Sequence, residues 1–158
     1  MKPLIVLTSF WDANELVKNK MVPFKNTLVN LNKTSFGVYS IAIQTPKLDK
    51  LGSLNELYPH GLTTVGCFCP TYSLLKQYKN DKDWDAYCED FDLLMRNRKF
   101  EVQAWVKKLM NDYVYIYCCW ENLHEGTHCH REILYNMFMQ SKRVSSGCDY
   151  ILRTGVKD

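Results

Sequence analysis

The sequence predicts a single α/β domain, a mostly parallel sheet flanked by helices in three layers. Three observations carry that expectation. Several short apolar runs show no alternation, which is the pattern of strands covered on both faces. Between the second and third of these runs lies a long stretch whose apolar residues recur at helical spacing. Finally, 158 residues with 46% hydrophobic and 23% charged side chains suffice for one well-buried core, and no internal repeat, low-complexity tract or linker divides the chain over residues 1–158.

The first run, "PLIVLTSF", reads as a buried strand ending in the polar residues Thr8 and Ser9. The second, "FGVYSIAIQTP", is closed by Pro46. Residues 44–66 then carry much Gly, Pro, Thr and Asn with little periodicity, so a long loop is expected there, of the kind that is usually functional or mobile. A helical region spans about residues 70–111. "CPTYSLLKQYK" gives a short helix opened by Pro70 and capped by Thr71 or Ser73. In "DWDAYCEDFDLLMRN" the residues Trp84, Tyr87, Cys88, Phe91, Leu94 and Met95 form one apolar stripe. Acidic residues lead that segment and Arg96 and Arg98 follow, which complements the helix dipole and marks the acidic run as a solvated face. "FEVQAWVKKLMN" repeats the stripe through Val102, Trp105, Val106, Leu109 and Met110. The third strand is "YVYIYCC", Tyr113 to Cys119; a helix over about 130–141 follows, and "CDYILR" is a short edge strand.

Charge and cysteine content narrow the setting. Residues 1–79 carry nine Lys/Arg against four Asp/Glu, and residues 80–158 carry eleven against thirteen. The excess is lysine-rich and dispersed, so a bulk nucleic-acid surface is permitted by charge and not indicated by pattern. Seven cysteines, spaced C-x-C and C-C, do not form a secreted disulfide framework. The opening apolar run is too short for a signal peptide and no later run reaches transmembrane length, so a cytoplasmic protein without membrane contact is expected.

The chemistry concentrates in "HEGTHCHREILYNMF", residues 124–138. The order strand, loop, helix puts this cluster at the carboxyl end of a central parallel strand, where open α/β sheets bind ligands. Unpaired amides at the helix start favour an anion, and Arg131 adds a planar fork for phosphate or carboxylate. Two readings stand for Cys129. The helix dipole and a neighbouring cation would lower its pKa and make it a nucleophile, or it is a small buried anchor for the helix. Glu121 is likewise an acid, base or nucleophile if buried and an exposed ion-pair partner if not. His124, His128, Cys129 and His130, with Cys67, Cys69, Cys118 and Cys119, are donor types that zinc takes. They show no C-x-x-C pair and no H-x-x-x-H pair set on a helix, so no metal ligands are assigned. Phosphate-binding glycine loops, dinucleotide fingerprints and G-x-S-x-G elbows are missing from the sequence.

"YIYCCWENLHEGTHCHREIL" resembles the signature of the domain of unknown function 488 family: an apolar strand, Cys and Glu, a short variable loop, then Cys-His-Arg opening a helix. "LTSFW" resembles the strand end near the start of one branch, and "CPTYSLLKQYKNDKDWDAYCEDF" resembles its middle helical region. The resemblance implies a compact α/β domain of a kind found in bacteria and their viruses. It implies a pocket made by Thr8, Ser9, Cys119, Glu121, Cys129, His130 and Arg131, and one that also includes Tyr78 and Tyr87. The chain departs from that pattern in its doubled cysteine (Cys118, Cys119), in His124 and His128, and in its long C-terminal tail.

The leading functional expectation is an enzyme acting on a nucleotide or nucleic-acid component. Arg131 and the helix start would hold a phosphate, Thr8 and Ser9 would touch it, and Glu121 or Cys129 would do acid/base or nucleophilic work. The aromatic surplus, 13% of residues, would stack a base. The alternative is a non-catalytic protein that sequesters a nucleotide-like ligand or a protein partner through the same pocket. A zinc-stabilised interaction domain is the third.

Overall fold

The computed structural model describes residues 1–121, 123 and 127–155. Five strands form one sheet: β1 (Leu4–Ser9), β4 (Ser35–Ser40), β5 (Thr63–Thr64), β6 (Tyr113–Cys119) and β7 (Asp149–Leu152). Their order is β5-β4-β6-β1-β7 and every pairing is parallel. The expected α/β class is what folds. β6 keeps the bounds read from the sequence and lies between β4 and β1, with Ser40 and Thr8 both opposite Cys118.

Side-chain alternation assigns the two faces. Tyr115, Tyr117 and Cys119 share one side of β6. On that side Phe68 packs between Trp105 of α5 (Lys99–Lys107) and Phe138 of α6 (His130–Gln140), and Tyr117 closes the group. The opposite side is taken by α1 (Phe10–Asn19), which follows β1 without a loop; Thr8, in register with Cys118, donates its hydroxyl to Asp12 of α1. Helices thus cover both faces, and β1 is buried along its whole length, which explains its unbroken apolar run.

The helical region divides as its caps dictate. α3 (Tyr72–Asp81) is capped by Thr71, whose hydroxyl accepts from Leu74 N. α4 (Trp84–Asn97) is capped in the same way by Asp83, and its buried stripe is Tyr87, Phe91 and Met95. Arg98 ends α4 and begins α5, and its Nη1 donates to the carbonyls of Gly66, Cys67 and Cys69.

Three elements depart from the expectation. The stretch 10–34, to which periodicity assigned nothing, holds α1 and a separate antiparallel hairpin, β2 (Met21–Phe24) with β3 (Thr27–Asn30). β4 stops at Ser40, six residues before Pro46, because the Ser40 hydroxyl accepts from Ala42 N and bends the chain. The expected loop at 44–66 contains regular elements: α2 (Gly52–Leu57) packs on α1 through Asn14, which accepts from Leu54 N, and β5 forms the sheet edge.

Tyr117 is buried and its hydroxyl receives the Trp105 indole N–H at 2.6 Å. Trp105→Phe removes that donor and is expected to cost about 1–3 kcal/mol, read as a lower urea midpoint with unchanged slope. An unchanged midpoint would show that this bond adds nothing to the packing of α5.

Candidate functional site

β6 ends at Cys119 and α6 begins after Cys129, so the loop between them brings two sulfurs ten residues apart into contact at 2.7 Å. Both are buried. Arg131, in the first turn of α6, lies fully buried beside them. Its Nη1 donates to Cys119 Sγ at 2.9 Å and to the Glu121 carbonyl at 2.6 Å, and its Nη2 donates to the Thr154 carbonyl at 2.7 Å. Cys119 therefore accepts from the guanidinium, while either thiol can be the donor in its contact with Cys129. Its remaining contact is the Thr8 carbonyl at 3.8 Å, to which a protonated Cys119 would donate.

His130 completes the group. Its Nε2 lies 2.8 Å from the Ile41 carbonyl, which can only accept, so that nitrogen carries the proton. Nδ1, the other ring nitrogen, faces Cys129 Sγ at 3.6 Å and is an acceptor whenever the imidazole is neutral. Just past the Ser40 bend, the Ile41 carbonyl thus ties α6 to the end of β4. Cys129 also receives support from the backbone side: Glu132 reaches back to accept from Cys129 N at 2.8 Å, and His128 Nδ1 lies 3.3 Å from the same carboxylate.

Above this floor opens a two-lobed cleft. One lobe, about 340 Å³, is walled by Tyr78, Trp84 and Tyr87 and closed by His128, Cys129 and His130. The other, about 290 Å³, runs past Cys119, Trp120 and Tyr72 toward Gln44. Lys79, Glu121 and His130 border both lobes, and Lys82 joins the first. The aromatic wall is ordered by stacking: His128 lies parallel to Trp84 at 4.4 Å, and Trp84 parallel to Tyr87 at 5.2 Å. Burial, then the nearby Cys129, raises the Tyr87 hydroxyl well above its ordinary pKa, so it stays a donor.

The residues expected to form a pocket divide into two sets. Glu121, Tyr78, Tyr87, Cys119, Cys129 and His130 all line the cleft. Glu121 is exposed at the rim rather than buried. Thr8, Ser9 and Arg131 do not line it. Ser9 caps α1 by accepting from Asp12 N and donates to the Gly155 carbonyl, and Thr8 binds Asp12. The Arg131 fork, expected to grip an anion, is spent on two carbonyls and a sulfur. At Cys129 the expected lowering of the pKa is reversed in sign: burial, then the adjacent Cys119, pushes this thiol well above the ordinary value, and His130 only partly offsets them. His124 falls outside the described residues, and the acidic run at 83–90 lies in and around α4, as a solvated face predicts.

Lys79, Lys82, Trp84 and Trp120 were missed as site residues. Lys79 and Lys82 look like ordinary surface lysines at the end of a helix, and both are exposed; only the fold shows that they border the same opening as Trp84, Tyr87 and His128. The bidentate pair of Arg153 with Asp12, at 2.6 and 3.0 Å, was missed for the same reason, since its partners are 141 residues apart.

Cys119, Cys129 and His130 could hold a metal ion, their donor atoms lying within 4.8 Å of one another; among the described residues no other such group occurs. Comparison of the chain with family models, curated proteins and solved structures returns no match. Among the described residues no helix is long and apolar enough to cross a membrane.

Two outcomes follow for measurement. Ser9→Ala removes the α1 cap and is expected to lower stability by about 1 kcal/mol in denaturant titration, with no change to the residues that line the cleft. A loss of ligand binding without a loss of stability would instead put Ser9 in the site. Burial pushes the Cys67 thiol up to about 11 and also raises Cys118 and Cys129. The folded state then holds these protons more tightly than the unfolded one, so their contribution is full below the ordinary thiol pKa and is lost as pH rises through the folded values. With the thiols kept reduced, the urea midpoint is expected to fall steadily from about pH 9 to pH 11, and a flat profile would contradict it.

Proposed function

We propose that the protein is an enzyme acting on a nucleotide or nucleic-acid component bound in the two-lobed cleft. The observation that carries this reading is the pairing of a stacked aromatic wall, Tyr78, Trp84 and Tyr87, with Lys79 and Lys82 on the same opening. A base is held by stacking, at about 1–3 kcal/mol per base, and a phosphate by the ammonium groups. The anion contact passes from Arg131, as read in the sequence, to these lysines. Arg131 becomes a positioning residue that aligns Cys119 and the Glu121 backbone.

Chemistry in this reading falls to the floor and rim. Glu121 supplies acid or base action from the rim. Of the two sulfurs, Cys119 is the better nucleophile, since a guanidinium N–H stabilises negative charge on it, and burial keeps Cys129 protonated. His130 Nδ1 is free to take a proton from Cys129.

A non-catalytic protein that sequesters such a ligand is the second reading, favoured by the burial of both sulfurs, which leaves them little room to meet a bulky electrophile. Zinc suits the two-sulfur, one-nitrogen donor set. Two thiolates bound tetrahedrally at about 2.3 Å from zinc stand about 3.8 Å apart, so the pair would have to open from its 2.7 Å contact to accept it. Elemental analysis of freshly purified protein decides that point.

Titration with nucleoside mono- and diphosphates, followed by calorimetry, tests the proposal. Trp84→Leu is expected to weaken binding by about 1–3 kcal/mol. Lys79→Gln with Lys82→Gln is expected to weaken it about tenfold and to flatten its salt dependence. Absence of binding to every nucleotide at millimolar concentration would sink both readings, and recovery of bound nucleotide unchanged after long incubation would leave sequestration.

A further inference from the structure

We propose that Cys119 and Cys129 are a redox-active dithiol that reduces a peroxide and closes to an intramolecular disulfide. The sulfurs touch at 2.7 Å, and a bond of about 2.05 Å needs an approach of roughly 0.7 Å. Among the described residues all seven cysteines are free, and Cys69, of the buried C-x-C pair, instead donates its thiol to the Ala42 and Val65 carbonyls. The roles within the pair are unequal. Cys119 receives the Arg131 N–H, which makes it the sulfur better able to carry negative charge, and it is a buried residue at the lining of one cleft lobe, so the oxidant must be as small as a peroxide to reach it. Cys129 borders the other lobe, stays protonated, and has His130 Nδ1 beside it to accept its proton.

The steps balance with hydrogen peroxide as oxidant. The Cys119 thiolate attacks one peroxide oxygen, the O–O bond breaks, and hydroxide leaves and takes a proton from solvent to become water. Cys119 is now a sulfenic acid. Cys129 passes its proton to His130 as its sulfur attacks the sulfenyl sulfur; the S–S bond forms, the S–O bond breaks, and the departing hydroxide recovers that proton as a second water. Two thiols and one peroxide yield one disulfide and two waters, the two electrons coming from the sulfur pair. The proposal does not depend on the nucleotide reading, since no nucleotide enters any step.

The test uses the full chain, reduced and then treated with one equivalent of hydrogen peroxide, alkylated in denaturant and digested for peptide mass spectrometry. Two of the seven thiols are expected to vanish together into a Cys119–Cys129 cross-linked peptide that dithiothreitol reverses. Cys119 is expected to react at least about tenfold faster than any cysteine outside the pair. In Cys129→Ser, dimedone is expected to trap the sulfenic acid on Cys119, and in Cys119→Ser the remaining Cys129 is expected to stay alkylatable. Cross-links among other cysteines, or Cys119 passing to sulfinic acid while Cys129 remains free, would overturn the proposal. So would one equivalent of tightly held zinc that blocks oxidation until it is chelated. The unsubstituted protein alone supplies the deciding measurement if either variant fails to fold.

Discussion

A full positive charge sits at zero exposure in the middle of this protein, and much of the local structure is arranged to answer it. Isolated burial of a guanidinium would cost several kcal/mol, so Arg131 must be met by oxygens and sulfur in its own plane. It is met from three separate places in the chain: the end of β6 through Cys119, the segment just beyond it through the Glu121 carbonyl, and the segment after β7 through the Thr154 carbonyl. Its Nε finds no partner among the described residues, so even this arrangement leaves one donor unanswered. One side chain therefore fixes the relative positions of the strand end, the loop and the helix start. The close sulfur contact and the His130 tautomer both follow from that fixation, since α6 cannot slide without pulling Arg131 from its acceptors.

Position in the sequence told a good deal about this. The unbroken apolar runs of β1 and β6 are legible because strands covered on both faces need no polar residues, and the bounds of β6 come out as read. Caps at Thr71 and Asp83 were equally readable, since a hydroxyl or carboxylate before an apolar stripe has a local partner three residues on. The cluster around residues 119–131 was placed at a strand end by element order alone, and the structure brings Cys119, Cys129 and His130 together there.

What stayed hidden was set by contacts between distant segments. Arg131 looks like an exposed anion fork in sequence because nothing local says which carbonyls will reach it. Thr8 and Ser9 read as pocket hydroxyls, yet α1 starts so abruptly after β1 that they are consumed by its first turn. The helix dipole predicts a lowered pKa at Cys129, but desolvation acts on the whole buried group and outweighs it. Lys79 and Lys82 share an opening with Trp84 and His128 only through the fold, since nothing near them in sequence points there.

The carbonyl of Thr154 accepts from Arg131 Nη2 and, at 2.6 Å, from Leu123 N, while the next carbonyl, Gly155, receives the Ser9 hydroxyl. Two residues beyond the edge strand thereby act as a latch, joining Leu123, the buried cation and the cap of the first helix. A cut or a rigid fusion just after Arg153 would therefore reach the thiols from outside the sheet, loosening the paired sulfurs while the strands themselves stayed paired.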